Sequence, residues 1–294
     1  MLSPGVLRGR ARYERAMEGW TDNTHDDALT HTVVLSDDDR AVELSAVAVP
    51  SPAYEIREAR CRVLGGAVDR RVADGVAALA GIRMVAGFTR RVADATGGGE
   101  GAALVVDAAI EIARLARQVA KLPPERARRA AGGDARECWR LDTTGWVDLP
   151  DSCFTYSAAG HALLDSRQVV TPMRPELYSP PPGGRRVFVR RKVARLSRAD
   201  GRVRLFHSMH DDIHGFEVTY EIDEATGRIV RAEHETPRLP YMGICSEPQS
   251  RIRSMVGEIA DEGLRRRAGT LLGGPAGCAQ LYDLTADLLK LLAP

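Results

Sequence analysis

The stretch from 206 to 214 concentrates side chains that could do chemistry. It contains three histidines and two aspartates, which are His207, His210, Asp211, Asp212 and His214. If the cluster supplies a general base, His210 or His214 accepts the proton and Asp211 orients the imidazole. The same groups could bind zinc or a redox metal, although their spacing matches no closed zinc motif. On a strand His207 and His210 would point to opposite faces, and a solvent-exposed loop would explain the cluster without any ligand.

The cysteines offer a second kind of chemistry. Cys278 follows a glycine-rich loop and lies in the first turn of a predicted helix, where the helix N-terminus lowers a thiol pKa and favours the reactive thiolate. Alternatively, Cys278 is a buried residue that packs beside Leu281. A four-ligand zinc site could be assembled only through the fold, from Cys245, Cys278, His210 and His214. We therefore assign no metal.

Basic and glycine-rich segments could hold an anion. Arg266 and Arg267 are the arginines that we assign to a bound carboxylate or phosphate; the run 190–192 is either a similar site or a solvated face. The glycine-rich loops 97–101 and 273–277 precede helices, so their free N–H groups could bind a phosphate. Neither loop has a P-loop or Rossmann pattern, and tight turns between packed helices explain them equally. We predict no cofactor.

An internal repeat underlies these loops. Residues at an offset of 176 recur without a gap: Gly81, Gly87, Arg90, Arg91, Gly97, Gly98, Gly101, Ala103, Asp107 and Leu115 return as Gly257, Gly263, Arg266, Arg267, Gly273, Gly274, Gly277, Ala279, Asp283 and Leu291. Glycine marks backbone positions that need a positive φ or a close approach, so the five matched glycines indicate a shared local structure. We therefore predict a tandem duplication.

The elements around the repeat predict an α+β fold. Apolar and β-branched runs predict strands at 42–49, 54–63, 186–196, 202–209, 216–222 and 228–235. Amphipathic spacing predicts helices at 68–80, 83–95 and 102–119, and again around Leu281 to Leu291. Two related domains follow, each with antiparallel strands and then two or three helices, in pseudo-twofold arrangement. We assign 1–122 to the first repeat, 123–182 to a linker and closing extension with a strand pair, and 183–294 to the second repeat.

The glycine motifs carry a family resemblance. The patterns are Leu79-Ala80-Gly81-Ile82-Arg83 with Gly87-Phe88-Thr89-Arg90, Asp151-Ser152-Cys153, Leu239-Pro240-Tyr241 with Cys245, and Gly273-Gly274 with Gly277-Cys278. They resemble a bacterial family known as domain of unknown function 2889, in tandem copies over about residues 8–178 and 184–294. The resemblance implies no established activity, with acyl-thioester or aromatic catabolism as its only functional expectation.

The departures from that family concern its cysteines and histidines. Relatives show Gly-Cys-Thr-His-Leu at the start of the last helix, where the first copy has Gly101-Ala102-Ala103-Leu104-Val105 and the second has Gly277-Cys278-Ala279-Gln280-Leu281. A family Asp-x-Cys-His segment appears as Asp151-Ser152-Cys153-Phe154. If those pairs carry chemistry in relatives, this chain has lost most of it.

Composition narrows the classes of function. The 294 residues carry a net charge of +1, which argues against a nucleic-acid binder, and 44% are hydrophobic, enough for a packed core. Five cysteines without a CxxC pair suit a reducing compartment. The first 15 residues lack a signal-peptide core and no run of about 18 apolar residues occurs, so we expect a cytoplasmic protein that binds neither membrane nor nucleic acid.

Two hypotheses of function stay open, with the second copy as the better candidate. In one, the protein is a cofactor-independent enzyme or binder for a small carboxylate or acyl-thioester metabolite. His210, His214, Asp211 and Cys278 would do the chemistry, and Arg266, Arg267, Tyr241 and Cys245 would bind the ligand. In the other, it is a non-catalytic small-molecule-binding or protein-assembly module with a degenerate site. We expect either a monomer with a pseudo-dimeric fold or a homodimer.

Overall fold

The structure is a computed structural model that describes residues 4–293. Its centre is one antiparallel sheet of eight strands in the spatial order β4-β3-β2-β1-β5-β6-β7-β8. The strands are β1 (Arg12–Asn23), β2 (Leu29–Asp37), β3 (Ala41–Ala48), β4 (Ile56–Gly65), β5 (Gly184–Ala199), β6 (Arg202–Asp211), β7 (Gly215–Asp223) and β8 (Ile229–Arg238). The predicted α+β class is confirmed.

Helices follow each set of four strands and also fill the segment between the two sets. They are α1 (Arg70–Gly75), α2 (Phe88–Thr96), α3 (Ala102–Leu115), α4 (Pro124–Ala127), α5 (Ala135–Gly145), α6 (Ala158–Ser166), α7 (Pro175–Tyr178), α8 (Leu264–Leu272) and α9 (Ala279–Lys290). Short 3₁₀ helices span Gly5–Leu7, Val76–Leu79, Arg128–Gly132, Phe154–Tyr156 and Glu247–Met255. Within residues 4–293 no helix combines the length and apolar character needed to cross a membrane.

The sheet has one apolar and one polar face. Buried residues alternate along β7 with partly exposed ones, and the buried set is Phe216, Val218, Tyr220 and Ile222. Helices α3 and α9 cover this apolar face, as expected from the period-two alternation of strand side chains.

The opposite, polar face carries charge pairs across neighbouring strands. Arg195 Nε, for example, donates to Glu14 at 2.6 Å across the β1–β5 pair.

The two halves of the chain share one order of elements. Helices α2 and α8 begin at Phe88 and Leu264, which keeps the sequence offset of 176. In the first half Gly81 N–H donates to the carbonyl of Ile56 at 2.7 Å, and in the second Gly257 N–H donates to Ile229 at 2.8 Å. These equivalent positions agree with the repeat, while an origin by duplication stays a prediction. The halves are not separate sheets, because β1 pairs with β5 along most of its length.

The predicted strands differ from the structure in three places, and the helix predicted at 83–95 begins only at Phe88. The six predicted strands occur within three residues of their expected ends, but β1 and β2 were not predicted. Strand β1 lacks a regular apolar pattern because Arg15 and Gly19 occupy helix-facing positions, and a Cβ on Gly19 would lie 2.8 Å from the Leu115 side chain of α3. The strand pair predicted within 123–182 is wrong: Asp134 and Ser157 cap the helices α5 and α6 that stand there.

The segment between the halves contacts both of them. Ala120 N–H donates to Leu177 at 2.8 Å, which returns the segment to the end of α3. Phe154 N–H donates to Gly277 at 2.8 Å, just before α9. We call residues 123–182 the extension. Because it joins the C-terminal end of α3 to the N-terminal end of α9, it closes over one end of the apolar face.

Candidate functional site

A cavity of about 130 Å³ lies under the extension. Its walls come from the C-terminal end of α3, the helix α5, the segment 149–156, the turn between β6 and β7, the segment 239–248 and the start of α9. Most of the lining is apolar or aromatic, with a few polar groups that include His214, Asp142 and three cysteines. A concave, mostly apolar cavity with a few converging polar groups is typical of a small-molecule site.

His214 is held at the cavity by Asp211. Strand β6 ends at Asp211, and the turn that follows folds back so that the backbone N–H groups of Ile213 and His214 donate to Asp211 Oδ1 at 2.7 and 2.6 Å. The same carboxylate lies 3.1 Å from His214 Nδ1. With Nδ1–H donating to Asp211, Nε2 is the ring nitrogen left to accept a proton.

Asp211 is itself an ion-pair partner of a buried arginine. Its Oδ2 lies 2.8 Å from Arg190 Nε and 2.7 Å from Arg190 Nη2, and the side chains are 0% and 1% exposed. Despite the desolvation that opposes ionisation, His214 and Arg190 hold the pKa of Asp211 well below its usual range. Asp211 therefore stays a carboxylate, which fixes the orientation of the imidazole.

A second buried carboxylate lines the cavity. Asp142, on α5, accepts hydrogen bonds from the hydroxyls of Tyr178 at 2.7 Å, Tyr156 at 2.7 Å and Tyr241. Burial raises the pKa of Asp142 to about 6, against the three tyrosine hydrogen bonds that lower it. Asp142 and Asp211 are thus both desolvated, but only Asp211 has charged partners.

Three cysteines also line the cavity. Phe154 N–H, next to Cys153, donates to the Gly277 carbonyl, next to Cys278, so the segments that carry these two cysteines meet here. Cys245 Sγ lies 2.9 Å from Thr155 Oγ1.

The Cys278 thiolate predicted from the helix N-terminus is not supported. Backbone N–H groups of Gln280 and Leu281 lower the pKa of Cys278, but burial raises it more. Burial also raises the pKa of Cys153 to about 11. At neutral pH both are thiols.

The structure brings part of the predicted set together. His214, Tyr241, Cys245 and Cys278 line the cavity, and Asp211 contacts His214 directly behind it.

Three predicted residues lie elsewhere. His210 is on the polar face of the sheet, half exposed, with Nε2 3.4 Å from Glu217. Arg266 is exposed on α8, and Arg267 is engaged by Glu258 at 2.5 Å and by Asp261. No anion site forms from this arginine pair at the cavity.

The 206–214 stretch is not the solvent-exposed loop that we considered. His207 is 3% exposed, with Nδ1 3.0 Å from the Leu284 carbonyl, and burial lowers its pKa to about 4, so it is neutral at pH 7. Asp212 and His210 are the two members of the cluster at the surface, and Asp212 forms a half-exposed pair with Arg174. Strand alternation likewise divides the basic run 190–192: Arg190 and Lys192 are buried and Arg191 is exposed.

A separate buried charge network lies between α3, α9 and β5. Lys192 Nζ donates to Glu111 at 2.8 Å, and Arg114 bridges Glu111 and Asp287 at 2.5 Å each. The adjoining space is about 30 Å³, room for one water. Because acids and bases pair within it, we assign this network to the packing of α3 against α9.

Sequence reasoning missed Asp142, Tyr156 and Tyr178. Each residue comes from a different helix, and no spacing in the chain connects them to Tyr241. These residues meet because the extension folds back over the sheet.

No metal centre is formed by the residues that the structure describes. Over positions 4–293, no group of three His, Cys, Asp or Glu side chains is arranged to hold a metal ion. The considered set of Cys245, Cys278, His210 and His214 is divided by the sheet, since His210 lies on its other face.

A family model described as Protein of unknown function (DUF2889) matches residues 195–293. The predicted resemblance is therefore confirmed for the region that runs from within β5 to the end of α9, while a second copy in the first half is not shown. The matched region includes His214, Tyr241, Cys245 and Cys278 but neither Asp142 nor Cys153. No curated protein and no solved structure matches the chain.

Proposed function

We propose that this protein is a cofactor-independent enzyme in which His214 acts as a general base on a small acyl compound, a carboxylate or an acyl thioester, bound in the cavity. The observation that carries the proposal is the buried arrangement of His214, Asp211 and Arg190 at the cavity wall. An imidazole that is oriented by a permanently ionised carboxylate is the arrangement that general-base chemistry requires.

The cavity limits the reacting part of the substrate. A volume of about 130 Å³ is close to that of cavities that accept benzene, so it fits an acyl group of about six non-hydrogen atoms. Ser152, Cys153, Cys278 and Gln280 are half-buried lining residues, and we propose that the cavity meets solvent on their side. A longer substrate would extend from that side.

The test is a screen in D₂O with acetyl-, butyryl- and hexanoyl-coenzyme A and the matching free carboxylates. Mass spectrometry would detect deuterium gained next to the carbonyl and any hydrolysis of the thioester. The variant His214→Gln should lose at least about 100-fold of the rate, the usual contribution of a general base. His210→Gln is the matched control, because that histidine lies four residues away on the polar face and should leave the rate unchanged. Equal rates in the two variants would refute the role of His214.

The second candidate is a non-catalytic binding module. It is favoured by the raised pKa of Cys278, which leaves no thiolate nucleophile, and by Phe154 and Gln280 at the positions where relatives have histidines. Native mass spectrometry of protein purified without added ligand would decide in its favour if a retained small molecule is found and no acyl compound is turned over. The same spectrum reports monomer or homodimer.

Location and origin belong to the same proposal. Five unpaired cysteines support a cytoplasmic protein. The equivalent hydrogen bonds of Gly81 and Gly257 support a tandem duplication. If the chain arose by duplication, the extension would have turned one end of a fold with two-fold symmetry into a single site.

A further inference from the structure

We infer that Asp142 is the second proton-transfer group of the cavity, that it acts as the acid for the base His214, and that the substrate is an acyl thioester, uncharged at its reacting carbonyl, which the two residues enolise. This inference rests on the proposed function and adds to it a reaction class and a choice between the two substrates.

Asp142 is held in a way that leaves it able to bind a ligand. Its two carboxyl oxygens accept from three phenols that belong to separate parts of the chain: Tyr156, Tyr178 and Tyr241. A carboxylate has about four acceptor positions, so one remains for a molecule in the cavity. Asp142 is among the groups that line this cavity, as is His214, whereas Asp211 is not.

The two buried carboxyl groups, Asp142 and Asp211, have different partners. Among residues 4–293, no Arg, Lys or His nitrogen pairs with Asp142, while Asp211 has both Arg190 and His214. Titratable groups whose surroundings push their pKa values apart are suited to different roles in proton transfer. Asp142, with a pKa raised to about 6, is the one that can carry and release a proton near neutral pH.

The titratable groups that adjoin Asp142 lie on α5 itself and on the three segments that donate hydrogen bonds to it. They are the three phenols and the Cys138 thiol one turn earlier on α5, and burial raises the pKa of each. All four are therefore neutral over the range in which Asp142 titrates. Within this cluster, Asp142 is therefore the group that gains or loses a proton near neutral pH.

The cavity suits a substrate whose reacting group is uncharged. Arg117 is the one arginine or lysine that lines the cavity within the described residues, and its guanidinium is already engaged. It donates to Asp148 at 2.7 Å, to the Ala113 carbonyl at 2.9 Å and to the Met84 carbonyl at 2.8 Å. A carboxylate ligand would find no free cation there and would lie beside Asp142. A thioester carbonyl carries no charge and can accept the Asp142 proton.

The proposed step is a proton transfer without net oxidation. His214 Nε2 removes a proton from the carbon next to the thioester carbonyl, and the C–H electron pair forms the carbon–carbon double bond of the enol. The carbonyl π pair moves to oxygen and takes the proton of Asp142. The reverse step in D₂O returns a deuteron to carbon, so the substrate gains mass and is otherwise unchanged.

The experiment measures this exchange with butyryl-coenzyme A at about pH 5 and pH 7, in the full-length protein. Asp142→Asn should lose at least about 100-fold of the rate. Tyr178→Phe removes a hydrogen bond to the carboxylate without changing a group that lines the cavity, so it should raise the pKa of Asp142 and increase the pH 7 to pH 5 rate ratio several-fold. Tyr220→Phe, which removes a buried phenol bonded at 2.6 Å to Thr285, is the matched control and should leave the ratio unchanged.

The outcomes separate the two proposals. If exchange requires His214 but neither Asp142→Asn changes the rate nor Tyr178→Phe changes the rate ratio, the inference is overturned and the proposed function stands. Hydrolysis of the thioester without deuterium exchange would also overturn the inference and leave the proposed function standing. If only a free carboxylate is turned over, the inference alone is overturned, and if neither a thioester nor a carboxylate is turned over, both are. Should Asp142→Asn fail to fold, the rate ratio of Tyr178→Phe decides, because a purely structural brace would lower both rates equally.

Discussion

The pair of Asp211 and Arg190 allows a sharp test of how the cavity wall is held. Asparagine at position 211 keeps an oxygen for the two backbone N–H donors but removes the charge that faces Arg190. The guanidinium, 1% exposed, would then be buried without a counter-ion. Removing one partner of a buried ion pair costs about 3–5 kcal/mol, and we expect Asp211→Asn to lose that much free energy of unfolding.

The test compares the free energies of unfolding of Asp211→Asn and Asp212→Asn, measured by urea denaturation. Asp212, the next residue, pairs with Arg174 where both side chains are 39% exposed, so its substitution should cost no more than about 1 kcal/mol. Adding Arg190→Met to Asp211→Asn should recover part of the loss, because no buried charge then remains. A difference under about 1 kcal/mol between the two single variants, or no recovery in the double variant, would refute the reasoning.

The pH dependence of this pair has a definite sign. The folded pKa of Asp211 is depressed, so its contribution to stability is present above the ordinary carboxyl pKa and is lost only as the pH falls through the depressed value. The difference between wild type and Asp211→Asn should therefore persist at about pH 4.

Three further predictions concern the cavity and its entrance. The contribution of Asp142 to stability depends on pH in the opposite direction, because the pKa of Asp142 in the folded protein is raised to about 6. As the pH falls from 7 to 5, the wild type should gain about 1 kcal/mol of stability relative to Asp142→Asn, as measured by denaturation at both pH values. In native protein at pH 7, iodoacetamide should modify Cys278 more slowly than a free cysteine, with a rate that rises with pH; mass spectrometry showing faster modification would contradict the raised pKa. Gly277→Ala should lose at least about 1–3 kcal/mol of free energy of unfolding, because its Cβ would lie 2.0 Å from the Leu272 carbonyl oxygen. Gly98→Ala is the control, since a Cβ there meets nothing within 4 Å. Equal thermal midpoints for the two variants would contradict this.

The features that could be predicted from the sequence are those formed by residues close together in the chain. The strands with alternating apolar residues, the glycine equivalences and the Asp211–His214 spacing of three residues all lie within short stretches, so their patterns are visible in the chain. Strand β1 was missed because its helix-facing positions include Arg15, which meets Asp107 of α3 at 2.5 Å. An ion pair between distant elements leaves no mark on hydrophobic periodicity.

The rest of the site depends on long-range contacts. Asp142 acquires its three phenols only when the extension folds back and meets Tyr241, and Asp211 acquires Arg190 through the register of the β5–β6 pair. The choice between His210 and His214 was equally open in the sequence. Strand β6 decides it, because a residue on β6 faces either the helices or the polar face, and His214 lies beyond its end.

The central β1–β5 ladder also bears on how the chain folds. Within each half, neighbouring strands are joined by short turns and can pair soon after synthesis, but Gly19 meets Arg190 from the far side of the extension. Contacts between residues so far apart in sequence close slowly. Until β5 is made, one whole edge of β1 presents unpaired N–H and C=O groups, which is the kind of edge that joins to another chain. The order of synthesis therefore leaves the first half exposed to self-association for as long as the extension and β5 are still being made.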